Sequence, residues 1–420
     1  MTARELTIVC AVAVFVFAAG VGLKASGSRW AGGDVWTAGG DLVAFYVAGR
    51  ILNQYDGARL YDIELQERVH SEVVPGAAAL NRTFAYPPYI AALFQPLARL
   101  PLSTALFAFM IVTPLVFLAG LLLLNARFGS TAPDERALTV LAGLSFFPFL
   151  GYTWLGAQIS TIGFVAMALA VYVEDRGWPL VSGIALSVCL YKPTLVVLAG
   201  PMLLVAGRYR QLAGFAAGAG LQILLWLAIG GGASFAAFVE ELQWTMARTT
   251  AAGQSFFNPY RYADVNAFFR LLPYGRSAFG RVMLGVVVVA ALASLVTAWW
   301  RSRRADRPEQ LLVWAATLTW TLILNVYVPL YDTVIVVPAA VLAVAAVRAR
   351  GWIGWNRVGP ALAFAWLAPW IAEFCARTIR VQIYTLALGA FGTLLLLEAR
   401  RGAARAARPI ETNNKQTPHV

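Results

Sequence analysis

Gly39-Gly40-Asp41-Leu42-Val43-Ala44-Phe45-Tyr46-Val47-Ala48-Gly49-Arg50 comes shortly after the first long apolar run of a 420-residue chain. The stretch sets one carboxylate ahead of an amphipathic segment, residues 42–53, read as a helix lying on a membrane surface. What surrounds it decides the fold. The chain is 60% hydrophobic and only 13% charged, more apolar surface than a soluble protein of this size can bury. Apolar runs near the length of a bilayer crossing recur along it, so the class is all-α: a polytopic integral membrane protein.

Working outward, the run Leu6–Leu23 follows Arg4. It is long for a cleaved leader and no small-x-small site closes it, so it is read as a retained first transmembrane helix, 5–23. A long outer loop, 24–101, follows. Further helices are expected at 102–124, 137–153, 159–173, 179–191, 194–206, 211–229, 280–300, 311–325, 331–347, 358–373 and 381–398, about twelve crossings in all. A second long outer loop covers 230–279. Residues 1–400 form one transmembrane domain, and 401–420 a basic cytoplasmic tail expected to be disordered. The runs on either side of Lys192-Pro193 are shorter than the roughly 20 residues of a full span, which leaves a re-entrant hairpin open.

The formal net charge of +12 is not a nucleic-acid signal, because its excess sits in short loops. Arg127 and Arg136, Arg176, Arg208 and Arg210, Arg301 to Arg307, Arg348 to Arg357, and Arg400 and Arg401 fall on alternate connections. The positive-inside rule makes that side cytoplasmic, with both termini on it. The protein is then a multi-pass protein of the plasma (inner) membrane. The opposite, periplasmic or extracellular side collects Asp41, the turn Trp154 to Gln158, Tyr191-Lys192-Pro193, Asn325 to Asp332 and Glu373 to Arg380, so the active site is expected there. Cys10, Cys189 and Cys375 are too scattered for a disulfide framework or a zinc site. His70 and His419 are the only histidines, so a histidine-rich metal centre is excluded.

The residues Gly40-Asp41-x3-Phe45-Tyr46-x-Ala48-Gly49, Leu60-Tyr61-Asp62, Phe84-x-Tyr86-Pro87-Pro88, Pro96-Leu97-Ala98, Leu100-Pro101, Gly156-x-Gln158, Gly183 with Lys192-Pro193, and Tyr331-Asp332 carry a resemblance that covers roughly 40–350. In order and spacing they resemble the polyprenol-phosphate-sugar-dependent membrane glycosyltransferases of glycosyltransferase family 87, of the type C glycosyltransferase fold. The resemblance implies transfer of one sugar, often mannose, from a polyprenyl-phosphate donor to a lipid or glycan acceptor on the outer face. Some members carry a histidine pair where Tyr331-Asp332 aligns, and that departure puts the sugar and acceptor in doubt.

Such a transfer needs a base for the acceptor hydroxyl, a cation for the phosphate, and a dry pocket. Asp41 is the candidate base. The bland reading is an N-cap of the helix that follows, and Asp34, in the repeat Ala31-Gly32-Gly33-Asp34, competes with it. Lys192 is the candidate phosphate ligand; its bland reading is a lysine snorkelling to headgroups. Arg261 and Arg380 are weaker donor-phosphate candidates, otherwise solvated loop charges. Asp332 would orient a sugar hydroxyl or assist Asp41, or merely complement a helix dipole. Gln158 and Tyr331 would hydrogen-bond substrate. Glu240-Glu241 reads as a solvated face, His70 as a surface residue of a loop helix at 62–73, and Tyr86-Pro87-Pro88 as architecture opening a third loop helix. No second carboxylate is demanded at close range, so a single inverting displacement is expected. The outer loops hold no Asp-x-Asp motif, so no metal or cofactor is required.

Two other readings remain: a transporter, favoured by many crossings and broken helices, and an outer-face ligase or polymerase of lipid-linked glycans, favoured by Arg248, Arg261, Arg270 and Arg276.

Overall fold

The computed structural model describes residues 3–30, 40–75, 83–250 and 258–406, and every regular element among them is helical. The only pairing of extended backbone among those residues is an isolated antiparallel bridge between Tyr262 and Pro329. Asp34 lies outside the described residues, as does the tail from 407. The last helix runs on to Ala406, so the first six residues of the expected tail are helical.

Helix α1 (Ala3–Trp30) packs on α6 (Pro133–Leu144), and Phe17 sets its ring edge-on to Phe147 and Trp370. The first long loop holds three helices, α2 (Leu42–Gln54), α3 (Ile63–Val73) and α4 (Pro88–Phe94). Local signals start two of them. The Asp62 carboxylate accepts from the Leu65 amide at 3.0 Å, and Pro88 occupies a first-turn position whose N–H has no intrahelical partner. Helix α2 does not lie on a membrane surface with one face free. Leu42, Val43, Phe45, Tyr46, Val47 and Ala48 are all buried, so the protein covers the helix almost all round. Its crossing with α4 is close: a Cβ on Gly49 would stand 2.7 Å from the Phe94 carbonyl oxygen. The ring of Phe45 stacks on Phe94 at 5.0 Å.

Five segments are long and apolar enough to cross a membrane. They are α5 (Leu102–Phe128), α10 (Tyr209–Gly230), α13 (Ala278–Ser302), residues 330–349 ending in α15 (Val336–Ala349), and most of α18 (Ile383–Ala406). Two bent pairs raise the number to seven if each is one span. One joins α6 to a π-helical segment at Pro148–Trp154, bent by 41°; the other joins α16 (Trp355–Leu367) to α17 (Pro369–Thr378), bent by 67°. Both breaks sit where a proline withdraws a backbone donor. Two more of the expected spans are helices of 16 and 17 residues, α7 (Ser160–Asp175) and α14 (Arg307–Ile323).

The expected pair around Lys192 is broken as well. Helix α8 (Pro179–Ser187) tightens into a 3₁₀ turn at Val188–Tyr191; a second 3₁₀ turn, Pro193–Val196, precedes α9 (Ala199–Val205). The second long loop contains α11 (Ala233–Thr250) and α12 (Val265–Leu271).

The two ends of the bundle differ chemically. At one end the connections are tied by arginines. Arg127 and Arg307 both pair with Asp175, and Arg208 pairs with Glu174. Arg348 donates to the Phe128 and Gly129 carbonyls at 2.7 Å, and Arg357 and Arg401 both reach Glu398 at 2.7 Å. The basic connections of the sequence thus meet on one face.

Two sequence readings fail in the long loops. His70 is only 7% exposed and Glu241 only 1%. Helix α11 packs down beside Tyr61, with Trp226 and Phe238 against that ring, so Glu241 faces protein while Glu240 stays exposed. Burial pushes the Glu241 carboxyl up to about 8. An unfolded glutamate titrates near ~4.3, so the folded state holds the extra proton between those values. Stability is then fullest below about pH 4 and is lost as pH rises toward 8. Glu241→Gln is predicted to flatten the fall of Tm between pH 5 and 8 in detergent; an unchanged slope would contradict the burial. Gly49→Val should overpack the α2–α4 crossing and cost about 1–3 kcal/mol, seen as a lowered Tm.

Candidate functional site

Opposite the arginine-tied end, four segments converge. The first is the start of α2. Gly40 takes a left-handed φ of 59°, and a Cβ there would lie 2.9 Å from the Gly156 carbonyl oxygen, so the position combines two demands that glycine meets. The Asp41 amide donates to that same Gly156 oxygen at 3.3 Å. The Asp41 side chain makes no capping bond to α2; its carboxylate accepts from Gln158 Nε2. The N-cap reading therefore does not account for this carboxylate. The residue is partly exposed.

The second segment is the turn after the π-helical residues. Ala157 is held at φ 54°, a strained value for a residue with a side chain, costing on the order of 1 kcal/mol. That turn delivers Gln158 to Asp41 and starts α7 at Ser160. Ser160 Oγ donates to Asp332 Oδ1 at 2.9 Å.

The third segment is the break at Lys192. Its backbone leaves helical geometry, at φ −140° and ψ 85°, and Pro193 cannot donate back. The lysine is turned inward: its side chain is 16% exposed and forms an ion pair with Asp332, which is 1% exposed. A snorkelling lysine would keep its ammonium in water, so that reading is overturned. The ammonium also sits 4.7 Å from the centre of the Tyr331 ring.

The fourth segment is the 3₁₀ turn Leu330–Ile335, which carries Tyr331 and Asp332. The Tyr331 carbonyl accepts from Thr153 Oγ1 at 3.2 Å, which ties this turn back to the π-helical segment.

Asp41, Gln158, Lys192, Tyr331 and Asp332 thus come together. Arg261 and Arg380 do not join them. Arg261 is 58% exposed and pairs with Glu373 at 3.4 Å. Glu373 also binds Arg377 and accepts from the Tyr152 hydroxyl at 3.1 Å. This is a separate rim cluster. Arg380 is exposed, sits at a left-handed φ of 56°, and forms no ion pair among the described residues.

Sequence reasoning missed four members. Ser160 is two positions beyond Gln158, and nothing in a lone serine marks it. Tyr86, read as architecture, stacks with Tyr191 at 6.3 Å, and its hydroxyl feels the charges of Lys192, Asp332 and Asp41. Tyr191 is buried with no hydrogen-bond partner for its hydroxyl among the described residues. Tyr262 comes from the second long loop through the bridge to Pro329 and feels the charges of Lys192 and Asp332. Loop aromatics beside a lysine-proline break were the available signal. The arrangement provides a partly exposed aspartate held by Gln158 and a buried, paired ammonium beside tyrosine rings.

The model of glycosyltransferase family 87 matches residues 84–326, more than half of the chain. No curated protein and no solved structure matches it. The matched stretch holds Gln158, Ser160 and Lys192; Asp41 precedes it and Asp332 follows it.

The ion pair gives a direct test of this geometry. Lys192→Met strands the Asp332 carboxylate in a buried site and should cost about 3–5 kcal/mol. Adding Asp332→Asn removes the stranded charge and should recover most of that loss. The double-mutant cycle is read by thermal unfolding in detergent; a coupling energy near zero would show that the two residues do not meet.

Proposed function

The chain belongs to glycosyltransferase family 87, and we propose that it moves one sugar from a polyprenyl-phosphate donor to a hydroxyl of a lipid or glycan acceptor, within a type C architecture. The reading is supported above all by one observation: a partly exposed Asp41, held by Gln158, and a buried Lys192, paired with Asp332, stand on segments that converge at the end of the bundle opposite the arginine-tied connections, where this reading puts the substrate pocket. With those connections cytoplasmic by the positive-inside rule, the pocket faces the outer side of the plasma (inner) membrane and both termini face the cytoplasm. Mannose or a related hexose is the expected sugar.

In this scheme Asp41 takes the proton of the acceptor hydroxyl, and the Gln158 amide holds the carboxylate in position for it. The acceptor oxygen attacks the anomeric carbon from the face opposite the phosphate. The bond from that carbon to the phosphate oxygen breaks, and the electron pair leaves with the polyprenyl phosphate. Lys192 neutralises the charge that develops on the leaving group. Asp332, engaged by both Ser160 and Lys192, serves as the counter-ion that keeps the lysine protonated and aimed. The aromatic wall of Tyr86, Tyr191, Tyr262 and Tyr331 excludes water from the glycosyl centre and offers ring faces to the sugar. A single displacement of this kind inverts the anomeric configuration.

Membership of a glycosyltransferase family favours group transfer over the transport reading. The exposed Arg261 and Arg377 of the rim cluster suit an anionic acceptor better than the donor, because they sit apart from Lys192.

The test uses purified protein in lipid with radiolabelled polyprenyl-phosphate mannose and a membrane-lipid extract. Wild type should discharge the donor. Asp41→Asn should lower turnover by roughly 10²–10⁴-fold, the span of a lost general base, with donor binding intact. Lys192→Gln should weaken both donor binding and turnover. Turnover by Asp41→Asn equal to wild type would remove Asp41 as the base. Discharge of other sugar donors but not mannose would correct the sugar and leave the scheme.

A further inference from the structure

Asp264 stands at the start of α12 in the second long loop and is fully buried, 0% exposed. Its local role is an N-cap: Oδ1 accepts from the Ala267 amide at 2.9 Å. That role uses only half of the carboxylate. Oδ2 accepts from the Val328 amide at 2.9 Å, 64 residues further along the chain. A serine or threonine would cap α12 as well, without the cost of burying a charge. Burial pushes this carboxyl up to about 6, so at neutral pH both oxygens remain acceptors. The neighbouring Ala263 amide donates to the Val328 carbonyl at 2.9 Å, so both backbone groups of Val328 are gripped. The gripping segment is itself anchored. Thr385 Oγ1 donates to the Ala263 carbonyl and Gln382 Nε2 to the Tyr260 carbonyl, each at 2.8 Å.

Val328 leads straight into the turn that carries the buried ion pair. The Asp332 amide donates to the Pro329 carbonyl at 3.0 Å, and the Asp332 carboxylate meets Lys192. Tyr327, just before Val328, is held at a left-handed φ of 61°, a conformation that survives for such a residue only where its surroundings impose it. Further back, Asn325 Nδ2 donates at 2.6 Å to the carbonyl of Thr194, close beyond Lys192. Residues 325–332 are therefore hooked to the Lys192 break at one end and carry Asp332 at the other. Asp264 holds them between. We infer that Asp264 is a positioning residue of the donor site: its second oxygen clamps the Val328 amide so that Asp332 stays aimed at Lys192. The role of Lys192 toward a donor rests on the transferase reading, whereas the clamp can be tested without turnover.

Lys192 is one of three lysines, with Lys24 and Lys415. Its accessibility can be followed by amine acetylation and mass spectrometry of the full-length protein in detergent, with Lys415 as the internal reference. Asp264→Ser keeps a capping oxygen for α12 and loses the acceptor for Val328. Asp264→Asn keeps the shape and turns one acceptor into a donor that faces an N–H. Both should acetylate Lys192 about tenfold faster than wild type, the scale of one lost hydrogen bond to a charged group. Ser277→Ala is the control. It removes the cap of α13, where Ser277 Oγ accepts from the Gly280 amide at 3.1 Å, and should lower Tm while leaving Lys192 as protected as in wild type. Thermal unfolding verifies that each variant is folded. With polyprenyl-phosphate mannose, the Asp264 variants should show a raised donor KM and slower turnover, and Ser277→Ala neither. Absence of turnover in wild type would count against the transferase reading, and acetylation would still decide the clamp. Unchanged Lys192 acetylation in a folded Asp264 variant, an equal rise in Ser277→Ala, or unfolding of both Asp264 variants while Ser277→Ala folds would each overturn the assignment.

Discussion

The interaction on which the end of the protein opposite the arginine ties depends is the buried pair between Lys192 and Asp332. Neither charge could be held at this depth alone, because an unpaired buried ion costs several kcal/mol. Each therefore fixes the other. Asp332 can enter the bundle only because Lys192 leaves its helix at the Pro193 break, and because Ser160 supplies a second donor. Lys192 in turn is kept off the headgroups by the carboxylate and by the face of Tyr331. The irregular backbone around the site follows from this constraint. A 3₁₀ turn on each side of Lys192, a 3₁₀ turn at Asp332 and a π-helical segment before Gln158 place side chains where regular helices could not. Non-helical backbone at membrane depth is tolerable only where protein encloses it or a cavity adjoins it.

The far end is built on the opposite principle. There the charges are many and shared, with two arginines on Asp175 and two on Glu398. Several of these residues are half exposed, so each pair contributes little by itself; together they join connections that are remote in sequence. One end is thus a basic mesh in which each described carboxylate of these pairs is engaged by arginine. The other end gathers tyrosines around a buried ion pair and a partly exposed Asp41 held by Gln158.

How much of this was legible in the sequence depends on how local each cause is. Two loop helices, read at 42–53 and 62–73, were readable to within a residue, and Pro88 marked the start of a third, because these signals act on their own neighbours; α11 and α12 were not read as helices. The break at Lys192-Pro193 was readable for the same reason. The shared face of the arginines followed from their alternation along the chain. Partner identities were not readable. Nothing near Asp332 announces Lys192, and a carboxylate at a helix start has an adequate local explanation. His70 and Glu241 were misread because polar residues on a loop helix look solvated until another element covers them, and α11 arrives from far along the chain. Ser160, Tyr191 and Tyr262 matter only through what is folded against them. The number of crossings was hard to read because apolar runs identify segments, while prolines decide whether a segment continues or bends.

The central claim is that Lys192, held by Asp332, receives the donor phosphate beside Asp41. The most direct measurement is a cryo-EM structure of the protein in a lipid disc with a bound polyprenyl phosphate. The account predicts phosphate density within hydrogen-bond distance of Lys192 Nζ, with the Asp41 carboxylate across the glycosyl position from it. Phosphate density at the Arg261–Glu373–Arg377 rim instead, with Lys192 still sealed against Asp332, would contradict it.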